Sequence, residues 1–143
     1  MTTSHPGGLR LGALRHEHKT PRGTLRTWFP TEGVSLHRLE GHADVSMAEA
    51  IADHLEAQYA KTDLPIVIFD DFDDVTSYDS ETRLSMMSWT KKHASMVAGV
   101  HIFFHSKLVA MGVAVANLGL GGNIRSYNKR AAFEAALQAA CKA

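Results

Sequence analysis

One cysteine in 143 residues, Cys141, leaves no partner for a disulfide framework and no CxxC metal knuckle, which fits a reducing cytoplasm. Long apolar runs are also missing. No stretch approaches the roughly 18 apolar residues of a membrane span, and His5-Pro6-Gly7-Gly8 stands where a secretory signal needs an apolar core, so neither export nor membrane insertion is expected. Net charge is absent too: 15 bases balance 15 acids at a pI near 7.1, so no global field draws nucleic acid, and the nine histidines form no basic stripe. What is present is an ordinary globular composition, 45% hydrophobic and 21% charged, sufficient for one core and one domain.

Neutrality conceals segregation. Residues 44–81 carry one base and eleven acids, whereas residues 82–143 carry eight bases and one acid. The acidic middle and basic end are expected to face each other in the fold or to meet a charged partner. Residues 1–23 mix glycine, proline and basic residues without an apolar period and read as a flexible tail, in which His16-Glu17-His18 lacks the further ligands of a metal site. The domain is expected to occupy 24–143.

From Thr24, the alternating runs TLRTWF and VSLHRLE flank a Pro30–Gly33 turn and predict a β-hairpin. Ser46 and Glu49 have capping-box spacing, opening a helix that carries Met47, Ala50, Ile51, Leu55 and Tyr59 and stops at Asp63-Leu64-Pro65. Ile66–Phe69 and Val100–Phe104 are apolar runs of buried-strand type. Between them Ser80–Val97 forms a helix with Leu84, Met87, Trp89, Met96 and Val97 on its apolar face. A helix over Lys107–Leu118, a glycine turn at Gly119, Gly121 and Gly122, a short strand Ile124–Tyr127 and a final helix with Phe133 and Leu137 complete a ββαβαβαβα order. Alternating strands and helices imply right-handed crossovers and a mixed α/β sheet covered by helices.

In such a sheet the working surface lies beyond the carboxyl ends of the strands. Asp70-Asp71-Phe72-Asp73-Asp74 leads an acidic loop there, and carboxylates this dense repel unless solvated or sharing a cation. Asp71-Phe72-Asp73-Asp74-Val75 matches the DxDx(T/V) nucleophile motif of haloacid-dehalogenase-type phosphatases, making Asp71 and Asp73 the metal candidates of a Mg²⁺-dependent alternative. The late acidic pair of those enzymes has no counterpart, since Glu134 is the sole acid after Glu81. No catalytic metal site and no cofactor are therefore expected. Next, Asp79-Ser80 opens a helix, where amides and the helix dipole favour a phosphate and where simple capping also suits either residue.

The hairpin, the capped helix, the strand IVIFDDF and DVTSYDS opening the next helix together resemble the STAS domain of bacterial anti-sigma-factor antagonists. The resemblance spans Thr24 to about Ala140. It implies a STAS-like fold, a non-enzymatic protein-interaction or signalling role and Ser80 as the phosphorylation position. After the serine those antagonists carry a small residue and a glycine; here Glu81 and Thr82 follow. The run from His101 to Leu137 also resembles STAS-like proteins related to CRAL-TRIO lipid-binding domains, implying an alternative role as carrier of a lipid or other small apolar ligand.

The helix 108–118 is apolar nearly all round, so it is either buried or covered by a partner or an acyl chain, and a covered surface is the expectation in so small a domain. Leu108, Met111, Gly112, Val115 and Leu118, with Asp79 and Ser80, are the expected interaction surface, most simply a homodimer contact, with Gly112 and Ala116 admitting close approach. His101 and His105 lie four apart without an evident third metal ligand, the three glycines lack a phosphate-loop lysine, and Cys141 has no local base to make it a nucleophile.

Overall fold

A computed structural model describes residues 2–4 and 10–142. Strands β1 (Thr2–Ser4) and β2 (Arg10–Ala13) form a small antiparallel pair. The principal sheet has six strands in sequential order: β3 (His16–Lys19), β4 (Gly23–Thr31), β5 (Val34–Ala43), β6 (Ile66–Tyr78), β7 (Val97–Phe103) and β8 (Ile124–Tyr127). The first three are antiparallel and β5 to β8 are parallel, joined by α1 (Val45–Thr62), α2 (Ser80–Lys92) and α3 (Lys107–Gly119), with α4 (Arg130–Lys142) closing the chain. From β4 onward this is the expected ββαβαβαβα order.

Strand alternation sorts side chains into two cores. Leu25, Leu39, Ile66, Ile68 and Ile102 share one with Met47, Ile51 and Leu55 of α1 and Val109 and Val113 of α3. Trp28, Leu36, Phe69 and Phe103 share the other with Phe133 and Leu137 of α4.

Four expectations are corrected. Residues 10–19 are not a tail: Leu11 is fully buried in the second core, and β3 pairs with β4 from His16↔Thr27 to Lys19↔Thr24. This pairing supplies the long-range order that a local reading of glycines and bases could not reveal; Met1 and residues 5–9 lie outside the described residues. Asp44, not Ser46, caps α1, accepting from the Met47 amide, while Ser46 Oγ donates to the Asp44 carboxylate at 2.5 Å. The expected acidic loop is strand, because β6 keeps its parallel pairing with β5 through two register shifts as far as Ala43↔Tyr78. Finally, β7 begins at Val97 after a single 3₁₀ turn, and Leu84, expected on the apolar face of α2, is 55% exposed.

Candidate functional site

The carboxyl edge of the parallel strands is where β6 hands over to α2 and β7 to α3. Three ties fix the start of α2: the Asp79 amide donates to Ala43 O at 3.1 Å, Thr82 Oγ1 donates to the same carbonyl at 3.1 Å, and the Thr82 amide donates to Asp79 O. Ser80, the first residue of α2, is exposed on this anchored turn.

Asp79 takes the N-cap position without capping. Its carboxylate lies 3.1 Å from His42 Nε2, while His42 Nδ1 lies 2.7 Å from Ser77 Oγ. A carboxylate can only accept, so Nε2 donates, and the buried imidazole holds Asp79 to the end of β5. The helix amides beside Ser80 are thus left without a side-chain cap, and one of the two acids flanking the serine is held by an imidazole N–H.

The aspartates Asp70 to Asp74 do not form one site. Asp70 is buried and bonded to His37 Nδ1 at 3.0 Å. Asp71 is 1% exposed; one oxygen accepts from Arg38 Nε at 3.2 Å and Arg130 Nη1 at 3.1 Å, and the other from the Asp73 amide at 3.4 Å. Arg38 lies over the Trp28 ring and Arg130 over Phe103, so the carboxylate is enclosed by guanidiniums and rings. Asp73 pairs instead with His105 Nδ1 at 2.6 Å. Asp71, the motif's would-be nucleophile, is thereby consumed in a structural ion pair, and the alternation of a strand, unseen when the segment reads as a loop, sends neighbouring carboxylates to different partners. Among the described residues no group of three or more His, Cys, Asp or Glu side chains is placed to hold a metal. The Arg130 contact also joins the acidic middle to the basic end.

Of the expected α3 surface, Leu108 (41%), Met111 (69%), Val115 (47%) and Leu118 (86%) are exposed. Gly112 is not part of it. A Cβ there would come 2.5 Å from Tyr78 Oη, so this glycine admits the Tyr78 ring, not a second helix; the Tyr78 hydroxyl donates to Leu108 O at 3.4 Å. Val113 faces the core as well. Ser80 and the first turn of α3 are therefore linked through Tyr78, two residues before Ser80.

The remaining candidates have structural partners. His101 stacks on Phe69 at 4.4 Å and reaches Tyr127 Oη at 2.8 Å, separate from His105. Burial, reinforced by Arg125, lowers its pKa. His16 stacks on His54 at 3.9 Å and His18 reaches Ser46 Oγ at 2.9 Å. Gly121 and Gly122, at φ +74° and +81°, make the turn after α3. Cys141 packs against the second core, and burial raises its thiol pKa, away from nucleophilic character.

A feature missed by sequence reasoning lies beneath α2 and α3. A cavity of about 120 Å³ is lined by Phe72, Met86, Met87, Ile102, Val109 and Val113, with Asp70 and Arg83 among its polar residues. Its only sequence signal was the methionine pair at 86–87.

No family model and no curated protein matches this chain. Solved structures do. The anti-sigma-factor antagonist SpoIIAA in its unphosphorylated form superposes with a TM-score of 0.60 at 14% identity, over 78% of this chain and 95% of that one. An anti-sigma-factor antagonist from Mycobacterium paratuberculosis gives 0.59 at 18% identity, covering 85% and 99%. An uncharacterised Shewanella loihica protein with a SpoIIAA-like fold gives 0.57 at 16%, covering 87% and 92%. With this strand order, helix placement and superposition, the chain has the SpoIIAA-type, STAS-like α/β fold.

Proposed function

We propose that this domain is a non-enzymatic signalling module that binds a protein partner through the α2–α3 face and is switched by phosphorylation of Ser80. The observation that carries the reading is the juxtaposition, at the carboxyl edge, of an exposed serine at an uncapped helix start with the first turn of α3, from which an exposed apolar row runs along that helix. Apolar side chains at 41–86% exposure on one helix are what a docking surface presents, and a charge added beside them alters a partner's approach. The solved relatives include SpoIIAA in both its phosphorylated and unphosphorylated forms, which supports the same assignment.

The flanking Glu81 opposes a phosphate, but the dipole at the start of α2 favours one, and His42 already engages Asp79. The lone thiol supports a cytoplasmic setting, and no helix among the described residues is long and apolar enough to cross a membrane. A second copy of the chain is the simplest alternative occupant of the α3 face.

Phosphopeptide mass spectrometry on the protein from its native host is expected to find phosphate on Ser80. Ser80→Asp is expected to change partner binding at least about tenfold while Ser80→Ala retains the parent's affinity, because the added charge sits at the edge of the docking face. An unmodified Ser80, together with equal binding by the parent, Ser80→Ala and Ser80→Asp, reduces the serine to a helix-opening residue.

A further inference from the structure

The cavity under α2 and α3 holds two ionic side chains with unlike surroundings. Asp70 has His37 at 3.0 Å. Arg83 has no ion pair among the described residues, and its Nε is cut off from solvent without a hydrogen-bond partner. Leaving a buried guanidinium N–H unbonded is costly, since charged donors lose most on desolvation. The other walls offer little compensation: Phe72, Met86, Val109 and Val113 are apolar, and neither the Thr82 nor the Thr90 hydroxyl accepts from Arg83 Nε. With Asp70 already engaged by His37, an unbonded guanidinium N–H beside apolar walls is complementary to an anion carrying an apolar tail.

We propose that this cavity binds a short-chain monocarboxylate, its carboxylate on Arg83 and its alkyl tail among the methionines and Val109. Size sets the tail. A dry apolar cavity of about 150 Å³ accepts a benzene-sized guest, so the space of about 120 Å³ found here suits a tail of about five carbons. The methionines at 86 and 87 adapt to an irregular guest, and Met87 Cε already lies where a Cβ on Gly119 would stand, at 2.5 Å, which ties the cavity wall to the end of α3. A guest here would brace α2 against α3 from beneath.

Isothermal titration with hexanoate, 1-hexanol and hexylamine tests the assignment. Hexanoate is expected to bind saturably, one per chain, with hexanol weaker and hexylammonium excluded. Arg83→Gln is expected to weaken hexanoate at least about tenfold and to erase its advantage over hexanol, the loss expected for a charge-assisted hydrogen bond. NOEs from the hexanoate methyl are expected at Met86, Met87 and Ile102. The proposal is overturned by absence of saturable hexanoate binding, by unchanged affinity in Arg83→Gln, or by NOEs to residues outside the cavity. The NOE measurement uses the parent chain, so an Arg83 variant that fails to fold leaves the test decisive.

Discussion

Helices α3 and α4 are both 13 residues long and pack on opposite faces of one sheet, yet they are used differently. In α4 the apolar residues recur on one side. Phe133 and Leu137 are fully buried, and Phe133 meets Phe69, Phe103 and Tyr127 at ring separations of 5.6 to 5.8 Å. Every large apolar side chain of α4 is thus spent on the core. In α3 the apolar residues run round the helix; Val109 and Val113 satisfy the core, and Met111, Val115 and Leu118 remain outside it. An amphipathic helix closes a domain, whereas an apolar helix on the surface keeps a face in reserve. Helix α1 behaves like α4, with Met47, Ile51 and Leu55 buried. The α2–α3 side also contains the cavity and the unpartnered Arg83 Nε, so stability is concentrated around α1 and α4 and adaptability around α2 and α3.

The largest test of that division is Phe133→Ala. It removes a fully buried ring that unites three aromatic neighbours, and about 4 kcal/mol of unfolding free energy is expected to be lost in urea denaturation. A loss below about 1 kcal/mol would mean that α4 is as loosely held as the outer face of α3, and the comparison would fail.

Much of this contrast was legible in the sequence. The period of Phe133 and Leu137 announced a helix with one wet face, the all-round apolarity of 108–118 announced an exceptional one, and each parallel strand from β6 to β8 left an apolar run or a short extended segment between helix signals. What remained hidden depended on pairing across the sheet. His16-Glu17-His18 carries no strand signal of its own, yet Glu17 finds Arg26 and His18 finds Ser46 once β3 adds to β4. Asp71 looked like a solvated acid because its partners, Arg38 and Arg130, are 33 and 59 residues away. The same distance in sequence conceals why residue 112 is glycine: the group it accommodates is Tyr78.

A smaller effect separates the α1 side through pH. His54 Nδ1 lies 3.1 Å from Thr27 Oγ1, and burial, assisted by His16, pushes its pKa down to about 4 from an ordinary 6.5. The folded chain then binds fewer protons than the unfolded chain between those values. Its contribution is fully present above about pH 6.5 and is lost as pH falls towards 4. Because the ring is only half-buried, solvent screening reduces the effect to about 1 kcal/mol. Urea melts at pH 7 and pH 4.5 are expected to show a smaller acid-induced loss in His54→Gln than in the parent. Equal losses would place the acid sensitivity elsewhere, with His16 and His101, whose pKa values are also lowered by burial, as the next groups to replace.

The smallest expected change in stability carries the most functional information. Met111 and Leu118 are the two most exposed large apolar residues among those described, at 69% and 86%. Replacing both with serine should alter unfolding free energy by no more than about 0.5 kcal/mol, because neither side chain fills a core position, although serine costs some helix propensity. If the outer face of α3 is the docking surface, the same double variant loses binding to the partner that responds to Ser80→Asp. Native mass spectrometry of the double variant separates the occupants: a parent dimer that becomes monomeric identifies a second copy, while unchanged mass with lost partner binding identifies a different protein. A double variant that unfolds readily would show that α3 uses this face for its own packing, and the contrast with α4 would disappear. One that stays folded and keeps both its mass and its partner would leave the division of stability intact but move the docking surface away from α3.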